Sequence, residues 1–130
     1  MENLEIKGSS GTYLTPTVNF SADSGICELT GESYHEDTFE FYNQLGNWID
    51  KFTKEVKKPL TMNINLTYFN TASSRGILDL LNIIKNYEDQ GGKVTVNWYY
   101  NNWDEDMLEE IEDMAEDSGL GINKIAYENK

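Results

Sequence analysis

The hydrophobic period of this chain switches back and forth between that of a helix and that of a strand, and few folds accommodate such an alternation. From Asp37 onward, Phe41, Leu45, Trp48, Ile49, Phe52 and Val56 recur at three- and four-residue spacing, the stripe of an amphipathic helix. Asp37 and Glu40 stand three apart as in a capping box. Lys54, Lys57 and Lys58 gather at the other end, where the helix dipole favours positive charge, and Pro59 stops the helix. Immediately afterwards Leu60, Met62, Ile64, Leu66 and Tyr68 alternate with Thr61, Asn63, Asn65 and Thr67, a strand with one apolar and one polar face. The helical period returns through Ile77, Leu78, Leu80, Leu81, Ile84 and Tyr87 and closes at Gly91-Gly92. Strand alternation resumes through Val94, Val96, Trp98 and Tyr100; a third helix carries Met107, Leu108, Ile111, Met114 and Ala115, and Ile122 to Tyr127 makes a last strand.

Upstream, Leu4 and Ile6 suggest a short strand, and Thr17–Phe20 and Cys27–Thr30 flank Ala22-Asp23-Ser24-Gly25, a hairpin turn by composition. Helical crossovers between strands imply parallel pairing, whereas the hairpin is antiparallel, so the sheet is mixed. The strands alternate instead of running continuously apolar, which places the helices mainly on one face. The expectation is a single α/β domain over residues 1–130: a mixed sheet with an N-terminal hairpin and three helices mainly on one side.

Charge narrows the functions open to that fold. The 130 residues carry 23 acidic and 10 basic side chains, a net charge of −13. Such a surface repels nucleic acid and anionic membranes, and no run of Lys or Arg along the sequence is dense enough to reverse the field locally. No positively charged leader precedes an apolar stretch, no apolar run approaches a bilayer span, and Cys27 stands alone, so a cytoplasmic protein is expected. With Cys27 and His35 the only residues of their kinds, a zinc site of such ligands would lack partners, and His35 reads as a loop histidine before a helix. Cys27 reads as a small buried hydrophobe on a strand. The carboxylates from Asp104 to Asp117 invite a calcium hypothesis, but no glycine occupies the sixth position and the intervening apolar residues mark a helix face, so a solvated acidic helix is the simpler reading. No metal, cofactor or catalytic residue is expected.

The most informative stretch is Tyr68-Phe69-Asn70-Thr71-Ala72-Ser73-Ser74-Arg75-Gly76, where a strand ends and a helix begins. Asn, Ser and Thr are good helix caps, and capping alone accounts for them. The unpaired amides and positive dipole end that welcome a side-chain oxygen also welcome a phosphate, with Arg75 near enough in sequence to pair with it. Both readings stand on these residues.

Four blocks, Gly31-Glu32-Ser33-Tyr34, Tyr68-Phe69-Asn70-Thr71-Ala72-Ser73-Ser74, Val96-Asn97-Trp98-Tyr99-Tyr100 and Asp104-Glu105-Asp106-Met107-Leu108-Glu109, resemble in order the signature segments of the SiaC family of regulatory phosphoproteins. The resemblance runs from Leu4 to Tyr127. It implies a STAS-like fold and a non-catalytic protein phosphorylated on a threonine by a partner-switching serine/threonine kinase and dephosphorylated by a phosphatase of the protein phosphatase 2C type. In part of the family the unphosphorylated form binds and activates a diguanylate cyclase, raising cyclic-di-GMP and promoting biofilm formation. The phosphoacceptor position is Thr71 here, with Asn70, Ser73, Ser74 and Arg75 as its phosphate or partner environment. Ala72 stands where a serine is common, His35 replaces a frequent proline, and Asn101-Asn102-Trp103 departs from a more acidic linker.

Tyr99, Tyr100 and Trp103 form an aromatic group that reads either as an interface or as core and sheet-end packing, with Trp103 the most exposed; Tyr34, in the first block, joins them as an interface candidate. Two other functions remain in view. One is a STAS-like binding module independent of phosphorylation, which a buried hydroxyl at position 71 would favour. The other is a small hydrolase using an acidic pair, which needs two inward-facing carboxylates in a pocket.

Overall fold

The computed structural model describes residues 1–9, 14–34 and 37–128. The elements in chain order are β1 (Leu4–Ile6), β2 (Thr17–Phe20), β3 (Ile26–Ser33), α1 (Thr38–Glu55), β4 (Leu60–Phe69), α2 (Thr71–Asp89), β5 (Val94–Asn101), α3 (Glu105–Ser118) and β6 (Ile122–Tyr127). They form one six-stranded sheet whose strands lie side by side in sequence order. β1, β2 and β3 pair antiparallel; β3 through β6 pair parallel, each step bridged by a helix. The mixed α/β architecture is the expected one. His35 falls outside the described residues.

Helix ends follow local chemistry. The Asp37 carboxylate accepts the Glu40 amide at 3.4 Å, Asn70 accepts that of Ser73 at 2.9 Å, and Asp104 that of Met107 at 3.0 Å, each satisfying an amide the helix leaves unpaired. α3 ends at Gly119, in the left-handed region at φ 78°, where a β-carbon would be strained.

The core lies between the helices and one face of the sheet. Val18, Phe20, Cys27, Leu29, Met62, Ile64, Leu66, Val96 and Trp98 of the strands meet Leu45, Ile49 and Phe52 of α1, Ile77, Leu80, Leu81 and Ile84 of α2, and Met107, Ile111 and Met114 of α3. Each such side chain contributes roughly 1.5–3 kcal/mol by leaving water. α1 and α2 approach closely because glycines face the partner helix: a β-carbon at Gly76 would sit 2.5 Å from the Tyr42 ring.

The opposite face is polar and uncovered. Asn97 Nδ2 donates to Asn63 Oδ1 and Asn123 Nδ2 to Asn97 Oδ1, both at 2.9 Å, an amide ladder across β4, β5 and β6. Tyr127 donates to Asn65 Oδ1 at 3.1 Å. These amide and hydroxyl groups satisfy one another on the exposed face.

Two expectations are corrected. Tyr68 does not continue the apolar face: the β3–β4 register passes from Gly31↔Leu66 to Glu32↔Tyr68, leaving Thr67 as an extra residue. One extra residue inverts the side-chain phase, so Tyr68 turns to solvent and Phe69 turns inward, 6.0 Å from the Trp98 ring. Nor do Tyr99, Tyr100 and Trp103 form one group. Successive strand residues point to opposite faces: Tyr100 packs against the core, Tyr99 shares the side of Asn97, and Trp103 stands exposed in the turn beyond.

Candidate functional site

At the carboxyl ends of β3, β4 and β5 the strands stop and α1, α2 and α3 begin. Open α/β sheets place their binding sites along such an edge. β4 passes into α2 through Asn70 alone. Asn70 keeps an extended backbone (φ −85°, ψ 177°), donates its amide to Ser33 O at 3.1 Å, accepts the Ser74 amide at its own carbonyl at 2.9 Å, and caps Ser73 with its side chain. Thr71 is then the first helical residue, and it is exposed.

Beneath Thr71 runs a buried chain of hydroxyls. Tyr42 OH donates to Ser33 Oγ at 2.8 Å, Ser33 Oγ donates to Ser73 Oγ at 2.7 Å, and Ser73 Oγ donates to Ser33 O at 3.0 Å. Every hydroxyl in it donates once, which keeps the desolvation cost of burial compensated. The chain ties α1, the end of β3 and the first turn of α2 into one unit. Burial pushes the Tyr42 phenol up to about 12, with Ser33 and Ser73 pulling the other way.

Ser73, expected in the phosphate or partner environment, is corrected to a support beneath it: its side chain is fully buried and its amide is taken by Asn70. Ser74 is half-buried. Arg75 is exposed and lies 3.6 Å from Asp79 in an i,i+4 pair that solvent weakens. Position 75 is also i+4 from Thr71, so the two side chains share a helix face.

Electrostatically, α2 differs from its neighbours. Glu40 lies in the first turn of α1, and Glu105 and Asp106 in that of α3, whereas the first turn of α2 has no acidic residue. A dianion attached to Thr71 would meet the positive end of a 19-residue helix with no carboxylate in that turn to repel it.

Exposed aromatics gather along the same edge. Tyr34 and Tyr68 have ring centroids 6.5 Å apart, Trp103 follows β5, and Phe39, 80% exposed, begins α1. Tyr34 and Trp103 were expected on the surface; Phe39 and Tyr68 were not singled out. The signal for Phe39 was its position off the buried stripe of its own helix. Between α1 and α2 a groove of about 260 Å³ is lined by Phe39, Asn43, Asn47, Arg75, Asp79 and Ile83, among others.

Other chemistry finds less footing. Cys27 is buried on β3 and burial pushes its thiol up to about 12, so it stays protonated and unreactive. Among the described residues no buried side chain is a carboxylate; Asp104, Asp106 and Glu110, which line a cleft beside Phe69, lie on the exposed or half-exposed first turns of α3. Among the described residues, too, no group of three or more His, Cys, Asp or Glu is placed to hold a metal ion, and no helix is long and apolar enough to cross a membrane.

This arrangement has close counterparts among known proteins. Apo-SiaC from Pseudomonas aeruginosa superposes with a TM-score of 0.88 at 26% identity, covering 97% of this chain and all of its own. A chain in the crystal structure of the diguanylate cyclase SiaD bound to its activator SiaC, from the same organism, matches with a TM-score of 0.84 at 26% identity over 94% of this chain. An uncharacterised protein of Pseudomonas aeruginosa strain UCBPP-PA14 is 29% identical over 107 residues, 82% of this chain and 85% of its own length. The family profile matches residues 6–127, nearly the whole chain, and the protein belongs to the SiaC family of regulatory phosphoproteins.

Proposed function

We propose that this protein is a non-catalytic switch: phosphorylation of Thr71 by a serine/threonine kinase, and its reversal by a phosphatase of the protein phosphatase 2C type, control binding to a diguanylate cyclase. The unphosphorylated form binds and activates the cyclase, raising cyclic-di-GMP. The observation that carries this reading is an exposed threonine at the head of a helix whose first turn has no acidic residue, seated on a buried hydroxyl chain that holds it in place. The complex of SiaD with its activator SiaC supports the choice of partner class. The aromatic side chains Tyr34, Phe39, Tyr68 and Trp103 on the same edge supply apolar anchors for docking, and a dianion added among them would need desolvation on binding. The exposure of Thr71 counts against a module that ignores phosphorylation.

The test is incubation with a partner-switching serine/threonine kinase from the same organism and ATP, followed by site mapping by mass spectrometry. Phosphate on Thr71 is expected. Phosphate confined to other positions would remove Thr71 from the mechanism.

A further inference from the structure

At the amino ends of the parallel strands, on the edge opposite Thr71, the chain leaves α1 through Lys57-Lys58-Pro59 and leaves α2 through Gln90-Gly91-Gly92-Lys93. The two turns border a cleft of about 560 Å³ whose lining includes Lys57, Lys58, Lys93, Tyr87 and Gln90. In a chain of net charge −13, three exposed ammonium groups meet here. Of the carboxylates near the two turns, Glu55 lies 3.9 Å from Lys51, and Glu88 and Asp89 lie 3.2 and 3.0 Å from Lys85. Among the described residues Lys58 Nζ reaches a single acceptor, the backbone carbonyl of Asp23 at 3.4 Å. Among the described residues no ion pair forms at Lys57, Lys58 or Lys93. The carboxyl ends of α1 and α2 each offset roughly half a charge, and Glu88 and Asp89 share the single cation Lys85, so the three ammonium groups are compensated in part.

The backbone adds an independent observation. Lys57 has φ 58° and is the one non-glycine residue with positive φ among the described residues; the corresponding positions after α2 and α3 are Gly91 and Gly119. A β-carbon is strained there, and no side-chain hydrogen bond or ion pair of Lys57 within the described fold compensates. The walls of the cleft are fixed. Tyr87 OH donates to Lys58 O at 2.9 Å, tying the two turns together, and Gly92 lies so close to the Tyr87 ring that a β-carbon would approach to 2.6 Å.

We propose that this cleft binds a small phosphate-bearing anion, held by Lys57, Lys58 and Lys93. Lysine serves as a compact point charge for phosphate, and the cleft volume lies in the usual range of small-molecule sites. The site is separate from Thr71 and independent of its phosphorylation.

Calorimetric titration with sodium pyrophosphate in low-salt buffer tests it. One saturable site is expected, weakening steeply with added NaCl and about tenfold in Lys58→Gln and in Lys93→Gln, the factor that corresponds to about 1.4 kcal/mol. Lys57→Gly is the diagnostic variant. It should lose affinity while its melting temperature rises by on the order of 3 °C, because the strain is relieved as the charge is removed. Absence of saturable binding to the wild type would overturn the proposal. So would undiminished binding in the Lys58→Gln/Lys93→Gln double variant, or Lys57→Gly binding pyrophosphate like the wild type.

Discussion

Tyr42, Ser33 and Ser73 do for the α2 entrance what no single cap does, because their hydroxyls join three elements below an exposed residue. Removing the donor at its head should therefore be felt at its far end. Tyr42→Phe deletes one buried hydrogen bond and should cost about 1–2 kcal/mol in urea denaturation; faster amide exchange at Ser73 and Ser74 should accompany it. A loss of stability with unchanged exchange at those two amides would show that the chain packs the core without holding the junction. Titration gives a second check at this scale. The folded Tyr42 and Cys27 groups, each raised to about 12, lie above their ordinary values of 10.0 and 9.0 because burial disfavours the charged forms. The native state thus holds protons that the unfolded chain releases. The stability they contribute is complete below about pH 9 and is lost as the pH rises from about 9 towards about 12. The urea midpoint should fall across that window, and less steeply between about pH 9 and 10 in Cys27→Ala. A midpoint flat to pH 11 would contradict the burial argument.

At the scale of elements, the α1–α2 contact sets the spacing of the groove beside Thr71. Two glycines permit it, with different tolerance. Gly76→Ala would drive a β-carbon against Tyr42, with contacts at 2.5 and 2.6 Å to its ring and 2.8 Å to its Cβ, whereas Gly46→Ala meets only the terminal methyl of Ile83 at 2.9 Å. Chemical denaturation should register about 2–3 kcal/mol lost for the first and under about 1 kcal/mol for the second, since a side-chain tip can swing aside and a ring rooted at Cβ cannot. Equal losses would mean that α1 moves as a rigid body in both. Element existence was legible because each change of hydrophobic period coincided with a cap or a breaker: Asp37 and Pro59 around α1, Asn70 and Gly91 around α2, Asp104 and Gly119 around α3. The phase of Tyr68 was not legible. Perfect alternation from Leu60 to Tyr68 carries no mark of the extra residue at Thr67, which exists only relative to the register of β3.

For the whole molecule, what the sequence could not reveal is what the crossovers bring together. Ser33, Tyr42 and Ser73 come from β3, α1 and α2, and Lys57, Lys58 and Lys93 from the ends of two helices, so spacing along the chain identifies neither group. The junction around Thr71 was legible because strand, cap and helix start are consecutive there, whereas the choice of Thr71 within it came from the family resemblance. The sheet separates two edges: the exposed aromatics and the Thr71 junction at one, the lysine cleft at the other. Partner control through Thr71 should then depend on charge added at one edge alone. Calorimetry of the diguanylate cyclase with wild-type protein, Thr71→Ala and the Thr71-phosphorylated form measures this most directly. Thr71→Ala should bind like the unphosphorylated wild type, and phosphorylation should weaken binding about a hundredfold, roughly 3 kcal/mol. Equal affinity of the phosphorylated and unphosphorylated forms would contradict the account.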